Sequence, residues 1–170
     1  TGQCHQLKVK VDDKGGWQQV TLPIDEFFRN MGTAAALDII TQYEKWDGAN
    51  DGRWHQPGKL LVILFSRSVG TQGEILFSDV LLSPASPTTA VDTTIPLDEM
   101  LQLGEIDWDF NLGWEFPGAK GGLDLVRDQP QVGQHAMHLH ADFTDGGAYV
   151  GVRRSFAQLN VRGLNALRMR

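Results

Sequence analysis

Residues 136–152 read AMHLHADFTDGGAYVGV, and this stretch decides the fold class. In its first half Met137, Leu139, Ala141 and Phe143 alternate with His138, His140 and Asp142. A period of two places the apolar set on one face of a strand and the polar set on the other. Thr144 to Gly147 then supplies turn residues, and Ala148 to Val152 opens a second, more apolar strand. Further strands are expected at 105–116 (EIDWDFNLGWEF), 123–128 (LDLVRD) and 164–170 (LNALRMR). On the N-terminal side, residues 5–11 and 17–22 alternate about the turn DDKGG, a hairpin pattern that Pro23 stops. Leu60 to Ser66 reads as a buried strand and Glu74 to Leu82 (EILFSDVLL) as another. Helical pattern is confined to a single turn at 24–29 and a short helix at 33–45 with Thr33 as N-cap, where Ile39, Ile40 and Thr41 oppose it. The expectation is an all-β chain, a β-sandwich of about eight to ten strands with one short helix.

Between these groups of strands, residues 84–102 have linker composition. With Ser83 they read SPASPTTAVDTTIPLDEMLQ, which carries three of the chain's seven prolines and no basic residue. Such a segment is expected to run extended outside the core. It holds half of the formal net charge of −6, so the blocks 1–83 and 103–170 are each nearly balanced. At 170 residues the chain suits one domain, and 41% hydrophobic with 21% charged residues is ordinary globular composition. The acidity argues against a nucleic-acid partner, which needs clustered positive charge. The longest apolar run, Leu60 to Phe65, is six residues, too short to cross a bilayer as a helix. Cys4 is the one cysteine, so no intrachain disulfide forms. Residue 1 is Thr and no basic-then-apolar leader follows it, so a processed or excised chain is expected.

Four segments carry a resemblance when taken in rotated order, from Gly104 through Arg170 and on from Thr1. They are IDWDFNLGWEF (106–116), LHADFTDGGAYVGV (139–152), GQCHQLKVKV (2–11) with GGWQQVTLPIDEFF (15–28), and GEILFSDVLLSP (73–84). In that order they resemble a jelly-roll carbohydrate-binding module of the galactose-binding-like kind, attached to secreted glycoside hydrolases. The resemblance implies that 1–83 is the C-terminal-like portion of the module and 103–170 the N-terminal-like portion, joined by 84–102. Either the chain spans a junction between tandem modules or the fold is circularly permuted. Neither block can cover both faces of a sandwich, so their strands are expected to interleave, in one chain or as a domain-swapped dimer. Ile106 to Phe110 should then lie near Ile75 to Leu82, and Leu164 to Met169 near the strand after Gly2.

The densest candidate site is the loop at 43–57, YEKWDGANDGRWHQP. Trp46 and Trp54 offer flat rings for the C–H face of a sugar, and Asp47, Asn50, Asp51, Arg53 and His55 offer planar hydrogen-bonding groups. The same residues also suit a glycine-rich loop whose tryptophans cap the core, or a calcium loop lacking the usual closing Glu. His138-x-His140-x-Asp142 invites a metallohydrolase reading, but the alternation makes it the exposed face of an amphipathic strand. The resemblance also implies a structural calcium, held by Asp107 or Asp109 together with Asp79. No nucleophile elbow or phosphate loop is present.

The resemblance, with the loop at 43–57, implies an extracellular, noncatalytic module that is expected to bind a polysaccharide or oligosaccharide beside a glycoside hydrolase domain. The alternative is a structural β-sandwich that packs against such a domain and binds no glycan.

Overall fold

The computed structural model describes residues 16–23, 60–84, 94–127, 135–160, 164 and 166–170. They form an all-β protein of three antiparallel sheets with one 3-10 turn, Arg67–Val69, and one α-helical turn. The strands are β1 (Val20–Pro23), β2 (Leu60–Ser66), β3 (Gln72–Phe77), β4 (Leu81–Ser83) and β5 (Ile95–Pro96). After the turn α1 (Glu99–Gln102) come β6 (Asp109–Asn111), β7 (Lys120–Val126), β8 (Ala136–Asp142), β9 (Tyr149–Ser155) and β10 (Ala166–Met169). The sheet orders are β1-β10-β4-β5, β2-β9-β6 and β3-β8-β7. The hairpin partner at 5–11 and the helix at 33–45 lie outside the described residues.

Every sheet mixes strands from both sides of residues 84–93. β10 runs between β1 and β4, with Leu167 opposite both Leu22 and Leu82. β9 lies between β2 and β6, and β8 between β3 and β7. All these pairings are made within one chain. The two three-stranded sheets meet through their apolar faces: Gly73 of β3 lies under the Phe65 ring of β2, and Gly121 of β7 sits against Val150 of β9. Met137, Leu139, Val150, Val152, Phe77 and Phe143 are fully buried between them. Each such side chain contributes about 1.5–3 kcal/mol by leaving water, before conformational entropy is set against it.

Three expectations from the sequence need correcting. EILFSDVLL is two strands rather than one. Asp79 adopts φ 50, a left-handed conformation that breaks the ladder and moves the chain from the β3 sheet to the β4 sheet. Residues 94–102 do not run outside as a connector. β5 pairs with β4, while Leu97 and Leu101 are buried, because Ile95, Leu97 and Leu101 supply the apolar contacts that the proline-rich composition around them hides. Finally, 106–116 is a strand only at 109–111; Gly113, at φ 64, turns the chain away.

The segment Ile106 to Phe110 does approach Phe77, but across the core rather than along a ladder. β6 pairs with β9, and Trp108 meets Phe77 edge to face with ring centroids 5.6 Å apart. The strand expected after Gly2 lies outside the described residues, so the neighbours of β10 are β1 and β4.

Candidate functional site

The β3-β8-β7 sheet buries one face and presents the other to solvent. Its outward rows follow from the register. Gln72, Asp142 and Lys120 form the first row, Glu74, His140 and Gly122 the second, and Leu76, His138 and Asp124 the third. Both histidines reach a diagonal neighbour, as long side chains on adjacent strands can. His138 Nε2 lies 3.2 Å from Glu74 Oε2, and His140 Nε2 lies 3.4 Å from Asp124 Oδ2. The two imidazoles are 5.4 Å apart and tilted by 33°. Gly122 leaves room for the His140 ring, since a Cβ there would come 2.6 Å from His140 Nε2.

Asp142 closes the first row. Gln72 Nε2 donates to its Oδ2 at 3.2 Å and the Thr144 N–H donates to its Oδ1 at 2.8 Å. Hydrogen bonds from Thr144, side chain and backbone, with that from Gln72, hold this carboxyl below the usual range. The result is an array of planar groups that can donate or accept, bordered by Leu76 at the third row.

A second group of acids lies at the junction of β4, α1 and the segment before β6. Asp98 is nearly buried, and its Oδ2 accepts from the Val80 N–H at 2.8 Å. Burial raises its pKa to about 6; the Val80 hydrogen bond opposes this, and the charges of Asp79 and Asp107 add to it. Asp107 is also raised by burial, against the pull of Arg154, whose Nη2 is 2.7 Å from Asp107 Oδ2. Arg154 Nε donates to the Leu97 carbonyl at 2.9 Å, which ties the same guanidinium to the core. Asp79 faces Arg170 Nε at 3.9 Å.

The fold divides the residues of the expected calcium site. Asp79 and Asp107 do come to one junction, but Asp109 points outward from β6 and pairs with Arg153 at 3.2 Å. Arginines already answer the charges of Asp79, Asp107 and Asp109. Among the described residues no group of three His, Cys, Asp or Glu is placed to hold a metal ion. That includes the His138, His140 and Asp142 row.

The expected sugar-binding residues Trp46, Asp47, Asn50, Asp51, Arg53, Trp54 and His55 lie outside the described residues. The structure adds others that sequence reading passed over. Asp98 sat inside an assigned linker. Glu74 and Asp124 gain meaning only from cross-strand register. Trp114, exposed to 78%, was assigned to a strand, although Gly113 and Pro117 around it are turn signals. No helix is long and apolar enough to cross a membrane among the described residues. No family model, curated protein or solved structure matches the chain.

Proposed function

We propose that the chain is a noncatalytic jelly-roll module that binds a polysaccharide outside the cell, as an accessory to a glycoside hydrolase domain. The observation that supports this most is the outward face of β3-β8-β7. Paired sugar hydroxyls need planar groups that donate and accept side by side, and Gln72, Glu74, His138, His140 and Asp142 present such groups on a rigid sheet. The sequence resemblance, with its motif order rotated, adds the jelly-roll and secretory parts of the reading. The loop at 43–57 is proposed as a further contact for the same ligand.

Affinity electrophoresis tests the reading, in native gels containing β-glucan, xylan, galactomannan or galactan. Retardation by at least one polymer is expected. Replacing His138 and His140 by Ala should weaken it by about tenfold or more, the loss expected when hydrogen bonds to charged or polar groups are removed. Identical mobility in every gel defeats the reading. That result would favour a structural module, for which Leu60 and Val62 speak, since they lie exposed on the outward face of β2 at 51% and 47%.

A further inference from the structure

The turn between β6 and β7 displays an indole ring. Leu112 leaves β6 half-buried, Gly113 reverses the chain at φ 64, and Trp114 emerges with 78% of its surface in water. A tryptophan that exposed loses the stabilisation its ring would give in a core, so its placement calls for a reason.

The turn beneath it is not slack. The Gly113 N–H donates to Asn111 Oδ1 at 2.7 Å, and the Phe116 N–H donates to the Gly113 carbonyl at 2.8 Å. Glu115 Oε1 accepts from the Tyr149 hydroxyl at 2.6 Å, and Phe116 packs edge-on to the same tyrosine ring at 6.4 Å. The two residues that follow Trp114 are therefore tied to the start of β9. Beyond them, Gly118 presses against the Asp145–Gly146 backbone so closely that any side chain there would collide. Two loops are thus locked together at one end of the sheets, with the indole outside.

The chemistry around this end is polar. Glu115 is exposed, and Lys120 at the start of β7 forms an exposed ion pair with Asp145, on the loop that Gly118 touches. Among the described residues, the other large exposed apolar side chains, Leu60, Val62, Leu103, Ile106 and Leu159, belong to different segments. A flat ring on a braced turn, next in sequence to an exposed carboxylate, does not make the contiguous apolar patch that a protein or lipid surface needs. It matches a pyranose, whose C–H face stacks on the ring while its hydroxyls meet carboxylate and ammonium at the edge.

We propose that Trp114 is the stacking platform of a polysaccharide subsite at the β6–β7 turn, with Glu115, Lys120 and Asp145 at its rim. This inference rests on the carbohydrate-binding reading and places a distinct contact within it. Because the turn is already braced, ligand binding there need not order the loop.

Trp114→Ala and Trp114→Phe chains, run beside the parent in the β-glucan, xylan, galactomannan and galactan gels, test the subsite. Thermal melts of all three should coincide, since the ring touches solvent rather than core. In whichever polymer retards the parent chain, the Ala variant should bind about tenfold or more weakly. The Phe variant should recover part of the loss, because an aromatic face remains. Unchanged retardation of the Ala variant overturns the Trp114 subsite and leaves carbohydrate binding standing. A parent chain that no polymer retards overturns both.

Discussion

Two gatherings of carboxylates among the described residues behave in opposite ways. On the outward face of β3-β8-β7, Glu74, Asp124 and Asp142 stand in water beside imidazoles, an amide and an ammonium. Hydrogen bonds from Thr144 and Gln72 hold Asp142 below its ordinary range there. At the junction of β4 and α1, burial raises Asp98 to about 6 and raises Asp107 despite Arg154 at 2.7 Å. The same residue type is a ready hydrogen-bonding surface in one place and an electrostatic load in the other. Solvent access, more than partner count, separates them.

Removing Arg154 should break this contrast most severely. Arg154→Ala leaves Asp107 enclosed without its cation, its Oδ1 already lacking a protein partner among the described residues, and strips the Leu97 carbonyl of a donor. A loss of about 3 kcal/mol is expected in urea unfolding. A loss under about 1 kcal/mol would mean that water reaches Asp107 freely.

Asp98 sharpens the comparison through pH. Its folded pKa lies above that of the unfolded chain, so the folded state keeps its proton where the unfolded state has lost it. Its stabilising contribution is full below pH 3.8 and disappears as pH rises through about 6. The fall amounts to about 2–3 kcal/mol at roughly 1.4 kcal/mol per pKa unit. Asp98→Asn, which keeps an acceptor for the Val80 N–H, should be free of this decline and melt higher than the parent at pH 7. Equal pH profiles for the two chains would contradict the burial argument. The same melts, run in chelator and in millimolar calcium, test the calcium expected at Asp79 and Asp107: a rise with calcium would support it, and identical melts would remove it.

The smallest effect belongs to the open face. Glu74→Gln should alter stability by no more than about 0.5 kcal/mol, as exposed pairs typically do, when measured by the same urea unfolding. A larger change would show that the His138 contact is structural rather than a surface available to ligand.

Much of the fold is legible in local pattern. β2, β7, β8 and β9 fall on runs that alternate or stay apolar, and the burial along β8 follows Met137, Leu139 and Ala141 against His138, His140 and Asp142. The site is legible only in part. His138 and His140 share a face by periodicity alone, whereas Glu74 and Asp124 join them through register with two other strands. Trp114 escaped because aromatic residues suit strands as well as turns, and the local run read as one continuous strand.

The sequence by itself determined which segments extend and which of their faces turn inward, because a period of two depends only on neighbours along the chain. It also determined the acidic balance and the single cysteine. Tertiary structure alone decided that β8 and β9, neighbours in sequence, enter different sheets, that EILFSDVLL divides at Asp79, and that 94–102 packs inward. It likewise decided which carboxylates stay wet and which are enclosed. These outcomes depend on contacts between distant residues, whose free energy comes from removing apolar surface from water, and local pattern carries no record of which partner removes it.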